Sequence, residues 1–159
     1  MDEKALFLKF WEQEAGATRK VLSRIPEQSD YRPDPKSRTA REIAWLIVRE
    51  EIALADGIEK GVFEWEEPPA PATVKEIMDL YDRRHDEVTG RLRQMGSPKW
   101  EADIPFRAGG REIMKTTGYE SAWGFLFDII HHRGQLSTYL RPMGAKVPAI
   151  YGPSADEQM

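Results

Sequence analysis

The sequence predicts an all-α fold, a four-helix bundle formed by a single domain over residues 1–159. Four segments of roughly 20–25 residues carry apolar side chains at helical spacing. Three of them follow a Thr-x-x-Glu pattern, which is typical of the first turn of a helix. The chain has 159 residues, enough to bury one sizeable core. Four helices of this length pack most economically as a bundle with long crossover loops.

The first predicted helix covers about residues 3–24. Its apolar residues recur at a spacing that gives one face, and they are Leu6, Phe7, Phe10, Ala17, Val21 and Ile25. We expect Pro26 to end this helix, because proline has no amide hydrogen to donate and its ring obstructs the preceding turn. The stretch PEQSDYRPDPKS that follows contains three prolines and is predicted to be a loop.

The other three predicted helices each begin at a capping box, in TARE, TVKE and TGYE. There the Thr hydroxyl accepts a hydrogen bond from a first-turn amide, and the Glu side chain reaches back to the Thr amide. EWEEPPAPA is predicted to be a proline-rich crossover, and Ile104 and Phe106 with a Gly-Gly turn indicate a small hairpin. The three helices cover about residues 39–60, 73–95 and 117–142, and residues 143–159 form a C-terminal tail.

The composition excludes several classes of function. The formal net charge is −4, with 23 Lys and Arg against 27 Asp and Glu, so no basic excess favours nucleic acid. The sequence contains no cysteine, which excludes disulfides, thiolate metal sites and a cysteine nucleophile. The N-terminal stretch lacks a signal-peptide pattern, and no apolar run suffices for a membrane span. We therefore expect a cytoplasmic protein with neither nucleic acid nor membrane as a partner.

Polar residues on the apolar face of the fourth helix are the first candidates for a site. At about 100° per residue, His132 lies roughly 40° from the centre of that face, and His131 lies nearly opposite. Asp128 precedes His132 by one turn, and Gln135 and Tyr139 follow on the same edge. His132 is therefore predicted to point inward and His131 outward.

Each of the other helices also presents an ionisable residue to the interior, namely Glu14, Glu50 and His85 in chain order. A carboxylate and an imidazole spaced i, i+4, facing a second carboxylate, predict a divalent metal site with nitrogen and oxygen ligands. The same groups could instead satisfy one another as buried pairs. A di-metal centre that includes Glu14 is a further alternative, but the chain lacks the paired Glu-x-x-His motifs of such sites.

The motif HHRGQ at residues 131–135, followed by YLR at 139–141, resembles the DinB family of small four-helix bundles. REIAWLIVREE and the tail GAKVPAIYGPSADE extend the resemblance along the chain. It implies a divalent metal, typically zinc or nickel, held by three histidines, one in the second helix and two at i, i+4 spacing in the fourth.

Two of the three implied ligands differ in this chain. The second histidine of the fourth helix corresponds to His132, but the first corresponds to Asp128, and the histidine of the second helix corresponds to Leu46. Leucine cannot coordinate a metal, whereas Glu50, one turn further on, could supply an oxygen. The predicted ligands are therefore Glu50, Asp128 and His132, with His85 as a further candidate. This donor set favours Fe, Mn or Zn, and the resemblance adds Ni. The alternative is a metal site that has been lost.

The resemblance also implies a function, because some members of the family are thiol S-transferases. Their metal activates a low-molecular-weight thiol such as glutathione, bacillithiol or mycothiol. We accordingly predict a metal-dependent thiol transferase for a small-molecule substrate, with His85 as the base and Gln135 and Tyr139 orienting the substrate. The competing prediction is a non-catalytic binding or stress-response bundle. In either case we expect a homodimer. Trp11, Trp45 and Trp123 could form its contact surface, although a core contact for each is the commoner outcome.

Overall fold

The computed structural model describes residues 2–27 and 29–159. Its long helices contact one another in a cycle: α1 packs on α5, α5 on α2, α2 on α3, and α3 on α1. A short helix and three strands fill the connections. The elements in order are α1 (Glu3–Leu22), α2 (Ala40–Lys60), β1 (Phe63–Trp65), α3 (Val74–Gln94), α4 (Ser97–Trp100), β2 (Asp103–Ala108), β3 (Arg111–Thr117) and α5 (Gly118–Leu140).

The predicted helix starts are confirmed, and the ends differ slightly. Thr39, Thr73 and Thr117 are the N-caps of α2, α3 and α5, and each capping box has both of its hydrogen bonds. The first helix ends two residues earlier than predicted, at Leu22, and α3 ends at Gln94. The last helix ends at Leu140, because the chain tightens into a 3-10 turn at Arg141–Met143.

A three-stranded sheet makes the all-α prediction too narrow, although the mostly helical fold is confirmed. The predicted hairpin exists as the antiparallel pair β2–β3, with Gly109 and Gly110 at positive φ in its turn. The strand β1 pairs in parallel with β2, aligning Phe63 with Phe106. The sequence around β1 predicts only a proline-rich crossover. The strand is missed because its partner lies some forty residues away, so no local pattern indicates the pairing.

The core contains one of the tryptophans assigned to a dimer surface. Trp11 is 2% exposed and donates a hydrogen bond through Nε1 to Thr89 Oγ1 at 2.9 Å. It is therefore a core residue, which agrees with the commoner of its two expected outcomes and removes it from a dimer surface. Trp45 and Trp123 are half-buried, and the homodimer stays a prediction. No helix in residues 2–27 and 29–159 combines the length and apolarity that a membrane crossing requires.

The contact between α2 and β1 gives the first testable prediction. A Cβ atom at Gly57 would lie 1.9 Å from Cδ1 of Phe63, whose side chain is 3% exposed. We expect Gly57→Ala to destabilise the protein by about 1–3 kcal/mol through overpacking, despite the higher helix propensity of alanine. Gly90→Ala in α3 is the control, because its Cβ would meet nothing within 4 Å. The midpoint of urea denaturation should fall in Gly57→Ala and rise in Gly90→Ala. A higher midpoint in both variants would contradict the close contact of Gly57 with Phe63.

Candidate metal centre

Three side chains from two adjoining helices converge in a small group. His132 Nε2 lies 3.4 Å from Glu50 Oε1 and 3.6 Å from Asp128 Oδ1. One ligand atom from each residue lies within 4.8 Å of the other two. Tetrahedral zinc with bonds near 2.0 Å needs its donors roughly 3.3 Å apart. The group is close to that spacing and could hold a divalent cation after small side-chain movements.

Local structure places these donors at the boundary between core and solvent. Asp128 and His132 lie one turn apart on α5, so both point to the same side of that helix. The side chain of Glu50 is 2% exposed and that of His132 13%, whereas that of Asp128 is 55% exposed. The site is thus closed on the α2 side and open to solvent beside Asp128.

The carboxyl group of Glu50 lacks a hydrogen-bond partner that its burial would demand. Its Oε2 atom is fully buried and has no hydrogen-bond partner among residues 2–27 and 29–159. Burial, followed by the negative charge of Asp128, raises the pKa of Glu50 to about 10. A buried polar atom without a partner costs about 1–3 kcal/mol, and a bound cation would remove that cost. The donor set and this orphaned oxygen therefore fit a divalent metal.

The imidazole of His132 is oriented by Gln135 through a hydrogen bond of 2.9 Å between Nδ1 and Oε1. Because the amide oxygen only accepts, Nδ1 carries a proton, and Nε2 faces the carboxyl groups of Glu50 and Asp128. Histidine ligands of metals are commonly held in this way by an outer hydrogen bond. Gln135, which the sequence predicts to orient a substrate, thus contacts the candidate ligand His132. It is not among the residues that line the cavity beside the three candidate ligands.

Removal of this orienting contact gives the second prediction. We expect Gln135→Leu to lower zinc affinity by about 10–100-fold, because loss of an outer-sphere partner has effects of that size. Competition titration with a chromophoric chelator measures the change. Gln94→Leu, at an exposed position at the end of α3, is the matched control. Equal affinities for the two variants would contradict the role of Gln135.

The protonation of Glu50 gives the third prediction. Metal binding requires the carboxylate, so zinc must displace a proton held with a pKa of about 10. We expect apparent affinity to rise about tenfold per pH unit from about pH 7.5 to 9, with one proton released per zinc. Titration calorimetry in two buffers of different ionisation enthalpy measures this. The variant Glu50→Gln should release no such proton when zinc binds. Unchanged proton release from this variant would show that the proton does not come from Glu50.

The same raised pKa affects the stability of the metal-free protein. The folded protein holds the Glu50 proton more tightly than the unfolded chain, whose pKa is the ordinary 4.5. The contribution of this proton to the free energy of unfolding is therefore fully present below about pH 4.5, and it is lost as the pH rises towards about 10.

His85 lies in a different part of the bundle from the candidate ligands. Its Nδ1 is 3.1 Å from both carboxylate oxygens of Glu51, and its ring stacks on Trp11 and Tyr81. Burial alone would lower the pKa of His85, but the hydrogen bond and charge of Glu51 raise it. His85 is absent from the lining of the cavity beside the candidate ligands, and its role as a catalytic base stays a prediction.

Tyr139 and Glu14 make their contacts with residues other than the candidate ligands. The hydroxyl of Tyr139 donates to the backbone oxygen of Arg38 at 3.3 Å, and the ring packs edge-on against Tyr31. Tyr139 is absent from the lining of the cavity beside the candidate ligands, and its role in orienting a substrate stays a prediction. Glu14 pairs with Arg133 at 2.7 Å, away from the group of Glu50. The di-metal alternative thereby loses one of its three carboxylates, Glu14.

A cavity of about 660 Å³ opens beside the candidate ligands, and Glu50, Asp128 and His132 are part of its wall. This volume is ordinary for a small-molecule site. Sequence reasoning missed the residues that shape it, because the sheet supplies three of its six main apolar residues. Phe125 was detectable from its position on the face of α5, but Trp65 carried no usable signal. The main apolar residues of the wall are Leu46, Trp65, Phe106, Met114, Phe125 and Phe127.

The fold and the site together define a class, a helical bundle with a candidate centre for a divalent metal beside an apolar cavity. The sequence model of the DinB family matches residues 1–159. The chain belongs to the DinB family, as its HHRGQ motif predicts.

Comparison with known proteins agrees with this assignment. The uncharacterised protein YrdA of Bacillus subtilis strain 168 is 28% identical, over 95% of this chain and 89% of YrdA. A crystal structure of a DinB-like protein from Bacillus cereus ATCC 10987 shares the fold, with a TM-score of 0.74 and 23% identity over 91% of this chain and 95% of the other. A mycothiol-dependent maleylpyruvate isomerase shares it more distantly, with a TM-score of 0.50, 15% identity, and coverage of 91% and 62%.

Proposed function

We propose that this chain is a metal-dependent enzyme that holds one divalent cation with Glu50, Asp128 and His132. The observation that carries the proposal is the buried Oε2 atom of Glu50. It has no hydrogen-bond partner in the part of the chain that the structure describes, and Glu50 belongs to a group with two other potential ligands. The contact between Oε1 of Glu50 and Nε2 of His132, at 3.4 Å, is long for a hydrogen bond, so this pair alone does not satisfy the buried carboxyl group.

The chain's own residues would divide the work of the site. Glu50 and Asp128 would balance the charge of the cation, and Gln135 would hold His132 in the tautomer that leaves Nε2 free. Three protein ligands would leave a coordination position for a substrate or water. When bound, the cation would lower the pKa of a thiol or polarise an electrophile.

The finer proposal is thiol transfer with a low-molecular-weight thiol as cosubstrate. Because the sequence has no cysteine, a sulfur nucleophile must come from outside the chain. The thiol would lose its proton to solvent, and its sulfur would bond to an electrophilic carbon while the leaving group departs with the bonding electron pair. The fold shared with a mycothiol-dependent isomerase supports this choice of cosubstrate by analogy.

Metal content provides the test. Untagged protein and the variant Asp128→Ala/His132→Ala are each exposed to zinc, manganese, iron and nickel, and bound metal is measured by elemental mass spectrometry. We expect one equivalent in the parent and none in the folded variant, while His131→Ala, adjacent and exposed, retains metal. The loaded protein is then assayed for consumption of glutathione, bacillithiol or mycothiol with an aryl halide. Absence of metal under every condition would contradict the proposal and favour the non-catalytic bundle.

A further inference from the structure

The cavity beside the candidate ligands has an aromatic wall, which we define as Trp65, Phe106 and Phe125. The rings of Trp65 and Phe106 stack with centroids 6.2 Å apart, and Phe125 lies 6.5 Å from the first and 6.4 Å from the second. The three side chains are half-buried and come from β1, β2 and α5. This wall is preformed, since each ring is held by the other two and by Phe63 or the sheet.

The polar side chains of the cavity, apart from the candidate ligands, already have partners within the protein. Thr116 and Ser121 hydrogen-bond to each other through their hydroxyl groups at 2.7 Å. Glu120 accepts from the amide and the hydroxyl of Thr117 in the capping box of α5. The indole Nε1 of Trp65 donates to Glu67 at 3.1 Å. A ligand in this cavity therefore finds few unsatisfied polar groups away from His132.

The charges of the cavity disfavour a ligand with an anionic group remote from the metal. Within the described parts of the chain, Arg38 is the one lysine or arginine in the wall. Its Nη2 donates to both oxygens of Glu67, each at 2.9 Å. A carboxylate on the body of a ligand would therefore lose water without gaining a cation, which is costly.

Gly124 leaves room in the same wall. It lies one turn before Asp128 on α5 and lines the cavity, and a Cβ built there would meet nothing within 4 Å. The φ of Gly124 is not positive, so the backbone does not require glycine. A larger side chain at this position would occupy space that is open to a ligand.

We infer that the cavity binds a neutral aromatic molecule, with its polar, reactive end at His132 and its ring against Trp65, Phe106 and Phe125. The position of the reactive end rests on the proposed metal centre, whereas the binding of the ring does not. In a thiol transfer this molecule would be the acceptor, and the charged remainder of the thiol would stay outside the cavity.

Hydroxamates test the inference, because they place a metal-binding head on bodies of different character. On zinc-loaded protein we expect benzohydroxamate to bind at least tenfold tighter than acetohydroxamate and than 4-carboxybenzohydroxamate. The variant Gly124→Leu should keep acetohydroxamate binding and lose the preference for the aryl compound. Gly90→Leu, at an open position in α3 outside the cavity, should keep the preference.

A second arm works without metal and separates this inference from the proposed function. Benzyl alcohol is titrated into metal-free, ¹⁵N-labelled protein, and we expect saturable amide shifts at Trp65, Phe106 and Phe125 that Gly124→Leu abolishes. If zinc does not bind but these shifts occur, the proposed function fails and the aromatic site is supported. Absence of the shifts, or equal affinities for the three hydroxamates, would overturn the inference.

Discussion

Replacement of His132 by alanine is expected to lower zinc affinity by at least about 100-fold. The loss of an outer partner of a ligand already costs about 10–100-fold, so loss of the ligand itself should exceed that range. Among the three candidate donors, His132 supplies the nitrogen, and its Nε2 atom lies 3.4 Å from Oε1 of Glu50 and 3.6 Å from Oδ1 of Asp128. Competition titration with a chromophoric chelator measures the affinity, and circular dichroism confirms that the variant is folded.

The adjacent residue His131 provides the matched control for this substitution. It is exposed, and its ring meets that of His132 edge-on at 5.2 Å between centroids. We expect His131→Ala to change zinc affinity by less than about threefold, since it removes no donor from the group. Similar losses in the two variants would indicate that zinc binds the histidine pair at the surface and not the group of Glu50.

Replacement of Arg133 by methionine is expected to destabilise the protein by about 3–5 kcal/mol, the usual effect of leaving one partner of a buried ion pair alone. Arg133 is 3% exposed and Glu14 6%, and their charged groups meet at 2.7 Å. The guanidinium also donates to the backbone oxygen of Glu14 and to Thr18. Tyr151 of the C-terminal tail accepts from Arg133 and donates to Glu14.

Guanidinium denaturation measures this effect, and two further variants make it specific. The double variant Arg133→Met/Glu14→Leu removes both charges and should recover much of the lost free energy of unfolding. Arg19→Met breaks the exposed pair with Asp82 and should leave the denaturation midpoint nearly unchanged. If Arg133→Met has as small an effect as Arg19→Met, the buried network does not stabilise the fold.

The parts of the fold that depend on neighbouring residues were predictable from the sequence. Capping boxes act within four residues, so Thr39, Thr73 and Thr117 mark the helix starts correctly. The helical period likewise separates the inward residue His132 from the outward residue His131. The period also turns Glu50 into the core, where it meets α5.

The parts that depend on distant residues were not predictable. The pairing of β1 with β2 joins Phe63 to Phe106, and nothing local in the proline-rich segment indicates it. The aromatic wall follows from that pairing and was missed with it. A helical wheel shows that His85 points inward, but not which neighbour it faces. Its partner is Glu51 and not the adjacent Glu50, because successive residues on α2 point about 100° apart.

The most direct measurement of the central claim is a crystal structure of the protein grown with zinc, with anomalous data collected on both sides of the zinc edge. We predict one strong anomalous peak about 2.0–2.2 Å from an oxygen of Glu50, an oxygen of Asp128 and Nε2 of His132. No peak in that group, with both Glu50 oxygens hydrogen-bonded to other protein atoms, would contradict the account. A peak confined to other residues would contradict it equally.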